Sequence, residues 1–304
     1  MGTGHDHTPI PAGHAGGRYR RRLALAFGLI FTFFFVELVY GLIADSLALI
    51  SDAGHMAADV VALGAALAAT RIATRKDTTG RRTFGSYRVE VFASGLTVLI
   101  MLGVSAYVVI EAITRIGSDP DVSSTPMIIV GALGLLVNII VMLVLRAGSK
   151  ESLNVKGAYF EVVADTAGSV GVVVAGILIA TTGQQWWDTI VALAIGAFVA
   201  FRAVILGRQV LAVLGQHVPA GMPIEDVADK LSSIPGVTDV HDLHIWVLTS
   251  GMNVATAHLV GDDTDAFPRI LDEARTMLRT DYQIEHATLQ VERTAARECQ
   301  EIDW

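Results

Sequence analysis

A chain of 304 residues that is 52% hydrophobic and 17% charged, with a mean hydropathy of +0.53, is far too apolar for an ordinary water-soluble domain of this size. Its net charge of −8 arises although the basic residues are bunched in a few segments, so their placement matters more than their sum, and no nucleic-acid partner is expected. The one cysteine, Cys299, excludes a disulfide framework and any CxxC metal or redox pair.

Residues 1–22 are polar, carry His5, His7 and His14 in GHDHTPIPAGH, and end in RYRRR. They read as a histidine-containing cytoplasmic tail, either metal-catching or simply polar, with no cleavable signal expected. Apolar runs long enough to span a bilayer follow at Leu23–Ile43, Leu47–Ala69, Val89–Ile113, Pro126–Leu145, Ala158–Ala180 and Ile190–Leu206, giving a six-helix transmembrane domain over 23–208. Arg18, Arg20, Arg21 and Arg22 precede the first run. Arg71, Arg75, Lys76, Arg81, Arg82 and Arg88 join the second to the third, and Arg146, Lys150 and Lys156 the fourth to the fifth. The alternate loops hold almost no basic residues, Arg115 being the exception. The positive-inside rule then puts both termini in the cytoplasm of a multi-pass cell-membrane (inner or plasma membrane) protein whose first partner is the lipid bilayer.

Over 209–304 the composition becomes that of a soluble domain. GMPIEDVADKLSSI predicts a short amphipathic helix, VHDLHIWVLT and MNVATAHLV two strands joined across Ser250 and Gly251, Phe267–Leu278 a second helix, and IEHATLQVE a last strand. The order αββαβ predicts a small open-faced sandwich.

Within the spans, ionisable residues are costly and need a reason. His55 and Asp59 in the second, and Glu161 and Asp165 in the fifth, are i, i+4 pairs, so each pair occupies one helix face about a turn apart. Counting from the loops places both pairs in the hydrocarbon zone, among small residues that allow close helix approach. One imidazole and three carboxylates can make a tetrahedral site for zinc. The bland alternative is protonated or hydrogen-bonded acids that merely fix packing, which two matched pairs make a poor explanation. Asp52 shares the face of His55 but stands outside the predicted ligand set. Glu37 and Asn138 are further polar insertions, with packing and cavity-lining roles both open.

VELVYGLIADSLALISDAGHMAAD, RRTFGSYRVE, GLLVN, ADTAGSVGV, VHDLHIW and IEHATLQVE together resemble the cation diffusion facilitator family of divalent-metal exporters, over nearly the whole chain. The resemblance implies a homodimer, six transmembrane helices per subunit, a ferredoxin-like cytoplasmic regulatory domain, and exchange of a cytoplasmic metal ion for protons. It implies a secondary active transporter rather than an enzyme, with zinc as transported and regulatory ion and no cofactor. The zinc-type pattern is HxxxD in both helices, and Glu161 departs from it, which brings cadmium, cobalt, iron and manganese into consideration because more oxygen donors make a harder site. In the cytoplasmic domain the resemblance carries zinc binding onto His241 and His258 and places the last-strand ligands near Gln290 and Glu292. His286 is a further candidate and His244 a weaker one. Two rival readings are a membrane-anchored metal sensor or scaffold, which needs no ionisable residues in its spans, and an intramembrane metal-dependent hydrolase, for which HExxH and a serine–histidine pair are missing.

Overall fold

The structure, a computed structural model, describes residues 15–72, 83–85, 88–118, 120–146, 153–249 and 251–294. The tail histidines His5, His7 and His14, the loop residues Arg75, Lys76, Arg81, Arg82 and Lys150, and Cys299 lie outside the described residues. The chain divides into two compact units, 1–207 and 208–304.

The first unit holds six long helices: α1 (Ala15–Ile43), α2 (Leu47–Ile72), α3 (Val89–Thr114), α4 (Ser124–Arg146), α5 (Leu153–Thr182) and α6 (Trp186–Leu214), the last running past the division. All six are long and apolar enough to cross a membrane. Several run past the apolar windows because polar residues at helix ends extend a helix without adding hydropathy, as at the start of α5 and both ends of α6. Large side chains such as Phe31, Leu99, Ile110 and Phe201 point outward and are exposed, as befits helices whose solvent is lipid.

Small residues set the helix spacing. A Cβ on Gly54 of α2 would lie 2.3 Å from Val104 Cγ1 of α3, so this contact exists only because position 54 has no side chain. Where α3 faces α6, the Ser105 hydroxyl donates to the Gly196 carbonyl at 3.0 Å. At the start of α2, Asp188 of α6 supplies the missing N-terminal partner. Its carboxylate accepts from Leu47 N (2.6 Å), Ala48 N (3.1 Å) and the Ser46 hydroxyl (2.7 Å). Arg115, the basic residue in an otherwise acidic or neutral loop, bonds the Asp45 carboxylate (2.8 Å) and Glu111 (3.1 Å) and lies 3.6 Å from Asp188. Burial pulls the pKa of this guanidinium down, but the Glu111 bond and the Asp45 and Asp188 charges outweigh it and hold it above its ordinary value.

The second unit contains α7 (Ile224–Ser232), β1 (Val237–Thr249), β2 (Met252–Gly261), α8 (Phe267–Tyr282) and β3 (His286–Glu292), the predicted αββαβ order. The sheet order is β1-β2-β3, with β1–β2 antiparallel and β2–β3 parallel. Val227, Leu231, Ile245, Leu259, Ile270, Ala274 and Leu278 form its core between the sheet and the two helices. β1 begins three residues before the predicted start, and α8 continues to Tyr282, where Gln283 closes it in a left-handed conformation (φ 56°).

Candidate metal site in the helical bundle

The two i, i+4 pairs face each other from α2 and α5. His55 Nε2 lies 2.7 Å from Asp165 Oδ1 and 3.9 Å from Asp59 Oδ2, and the three ligand atoms lie within 4.8 Å of one another. His55 is 3% and Asp165 5% exposed, so the group is closed off although its donors are polar. Asp165 Oδ1 meets the His55 ring, while His55 Nδ1 and Asp59 Oδ2 are buried with no hydrogen-bond partner among the described residues. Such atoms are expensive in an apolar bundle and are what a cation would satisfy.

Glu161, the fourth predicted member, does not join the three. Its side chain is about half exposed (48%) and pairs with the Arg202 guanidinium of α6. That arginine also places Nη1 2.7 Å from His55 Nε2 and 3.8 Å from Asp165 Oδ1. Sequence reasoning missed Arg202. The signal was present in AFVAFRAVILG, a lone arginine inside an apolar run, where a fixed positive charge calls for buried carboxylate partners.

Asp52 and Glu37 are buried beside the site but outside this cluster. Asp52 Oδ2 accepts from Ser169 (3.3 Å), and Ser169 Oγ accepts from Asn138 Nδ2 (3.2 Å).

A second group lies on the open face of the sheet. The register slips between His241 and His244, where Asp242 adopts φ 52°, so that His241 pairs with His258 and His244 with Thr256. Without that bulge His241 and His244 would point to opposite faces. In the parallel ladder His258 aligns with Gln290 and Val260 with Glu292. His241 Nε2 is 3.1 Å and His258 Nδ1 4.0 Å from Glu292 Oε1, and the three form a cluster of candidate ligands. Of the two last-strand positions the resemblance indicated, Glu292 joins and Gln290 instead donates to it at 3.0 Å. His286, at the start of β3 opposite Val254, and His244, 2.8 Å from Asp242, lie outside this cluster.

Six membrane-length helices followed by a three-stranded α+β unit define a multi-pass membrane protein with a C-terminal globular domain. Residues 23–214 match the cation efflux transmembrane domain and residues 219–294 the cation efflux protein cytoplasmic domain. The chain belongs to the cation diffusion facilitator family of metal cation exporters. It is 44% identical over 294 residues to the metal cation efflux system protein CzcD of Cupriavidus metallidurans, covering 96% of this chain and 90% of that one. It is 33% identical over 300 residues to a cadmium, cobalt and zinc/H(+)-K(+) antiporter of Bacillus velezensis (96% and 93%). It is 34% identical over 296 residues to the zinc transporter ZitB of Escherichia coli (95% and 92%).

Proposed function

We propose that the chain exports zinc from the cytoplasm in exchange for protons, using His55, Asp59, Asp165 and Glu161 as the transport site. The observation that carries this reading is the enclosed convergence of His55, Asp59 and Asp165 from two membrane-length helices. Relatives named for zinc, and for cadmium, cobalt and zinc, support the metal class. Cadmium and cobalt are secondary substrates in this reading, and iron and manganese weaker ones, because imidazole favours zinc over the hard ions.

Zinc enters only when its ligands are deprotonated, so metal and protons compete for one site. For Glu161 to become the fourth ligand, the Arg202 guanidinium gives up its ion pair with Glu161. Arg202 then remains near as a counter-charge. Three carboxylates against one zinc ion and one guanidinium leave the site neutral with His55 uncharged, and when zinc departs two protons restore the balance. Alternate filling by one zinc or two protons thus avoids a buried net charge.

The subunits form a homodimer, with both termini cytoplasmic and residues 208–304 acting as a regulatory domain through His241, His258 and Glu292. The test is zinc uptake into inverted membrane vesicles under an imposed proton gradient. Zinc should accumulate and protons move the opposite way, more strongly as pH rises through the histidine range. Uptake that ignores the gradient and moves no protons would reject antiport. Intact metal tolerance with Asp59→Ala would favour an anchored sensor.

A further inference from the structure

Four helices each bring one polar residue to a second point in the bundle: Glu37 from α1, Asp52 from α2, Asn138 from α4 and Ser169 from α5. None is more than 4% exposed. Asn138 donates to Ser169, whose hydroxyl donates to Asp52. This chain fixes one carboxylate and stops there. Glu37 faces Asp52 carboxyl to carboxyl and is wholly buried, and among the described residues no N–H or hydroxyl group reaches either of its oxygens, so the two acids can bond each other only with a proton between them. A Cβ on Gly168 would lie 3.0 Å from Asp52 Oδ1, so a bare stretch of α5 backbone lets that carboxylate into place. Two facing buried acids that can share only a proton are a poor packing device, since apolar residues would fill the same volume without the desolvation cost, and a cation can take the proton's place between them.

We infer that Glu37 and Asp52 form a second cation-binding station, with oxygen donors only, which receives the divalent ion after it leaves the His55 site. The inference rests on the export reading for its direction. Asp52 precedes His55 by three residues, a rise of about 4.5 Å along α2, and lies on the side of the α1–α2 turn. Glu37 lies six residues before the end of α1 at the same turn. The ion therefore moves from a site with a nitrogen donor to one with carboxylates and a hydroxyl. Zinc is held less firmly by oxygen donors than by imidazole, while hard ions such as manganese are held comparatively well. A weaker station one step along lets an ion leave a tight site, the principle by which multi-site pores combine binding with conduction. Ser169 is a positioning residue that also offers its hydroxyl, and Asn138 orients Ser169.

The test uses the full-length protein, purified in detergent and stripped of metal, with manganese and zinc as probes. Equilibrium dialysis followed by electron paramagnetic resonance counts bound Mn²⁺. The cytoplasmic cluster is common to all variants, so differences isolate the station. Wild-type protein should bind one more Mn²⁺ per chain than Glu37→Gln, while both keep the same tight zinc equivalent. His55→Ala should show the reverse, losing tight zinc and keeping the extra Mn²⁺. Asp52→Asn provides an independent reading should Glu37→Gln not fold, as judged by size exclusion. Equal Mn²⁺ counts in wild type and in a folded Glu37→Gln or Asp52→Asn variant would overturn the station. If vesicles show no zinc export while the Glu37-dependent Mn²⁺ remains, the station stands and the export reading falls.

Discussion

Arg202 changes how each residue of the membrane site is read. With only the sequence pairs in view, Glu161 is a fourth ligand of equal standing. With Arg202 present, it is the carboxylate that an internal cation already holds. Replacing Arg202 with Gln frees Glu161 but leaves the metal-free site more negative. Zinc should then bind more tightly and turn over more slowly, a rise in affinity with a fall in maximal rate that vesicle kinetics at several zinc concentrations will resolve. Glu161→His replaces an oxygen donor and a negative charge with a second imidazole, so the ratio of zinc to manganese transport should rise. An unchanged ratio would show that residue 161 never touches the ion. The two pairs were legible because i, i+4 spacing is a geometric statement about a helix face. Arg202 was visible as a residue, but its partners were not, because which face of α6 meets α2 and α5 is set by packing between helices distant in sequence. The same limit applies to Glu37, whose pairing with Asp52 depends on how α1 rotates against α2.

At the scale of elements, hydropathy located all six spans, and alternation located all three strands in order, since both signals are local and repeat along the chain. Three features were not legible. The bulge that puts His241 and His244 on one sheet face comes from a register slip, which nothing in VHDLHIW announces. The helix ends beyond the apolar windows carry no hydropathy signal. The Asp188 cap joins residues 140 and 141 apart. Asp188→Ala should destabilise the transmembrane unit by about 1–2 kcal/mol through the lost N-terminal bonds, read as a lower melting temperature in detergent, with Asp188→Asn closer to wild type. Gly54→Ala drives a methyl into Val104. Although alanine is the better helix former, overpacking should prevail and cost about 1–3 kcal/mol. A raised melting temperature would mean that α2 and α3 approach less closely than described.

For the whole molecule, a bundle of apolar helices holds one buried imidazole–carboxylate group, the proposed transport site, and the second unit holds a separate histidine–glutamate cluster on its sheet. The central claim is that ions cross through the residues His55, Asp59, Asp165 and Glu161. The most direct measurement is zinc flux into vesicles reconstituted with purified protein, comparing wild type, Asp165→Ala and the exposed-site control Glu225→Ala at matched protein amounts. Removing the buried carboxylate that lies 2.7 Å from His55 should reduce flux by about 100-fold or more, with Glu225→Ala near wild type and the Asp165→Ala protein still folded by size exclusion. Zinc flux through Asp165→Ala within twofold of wild type would contradict the account, because the ion would then be crossing somewhere other than this site.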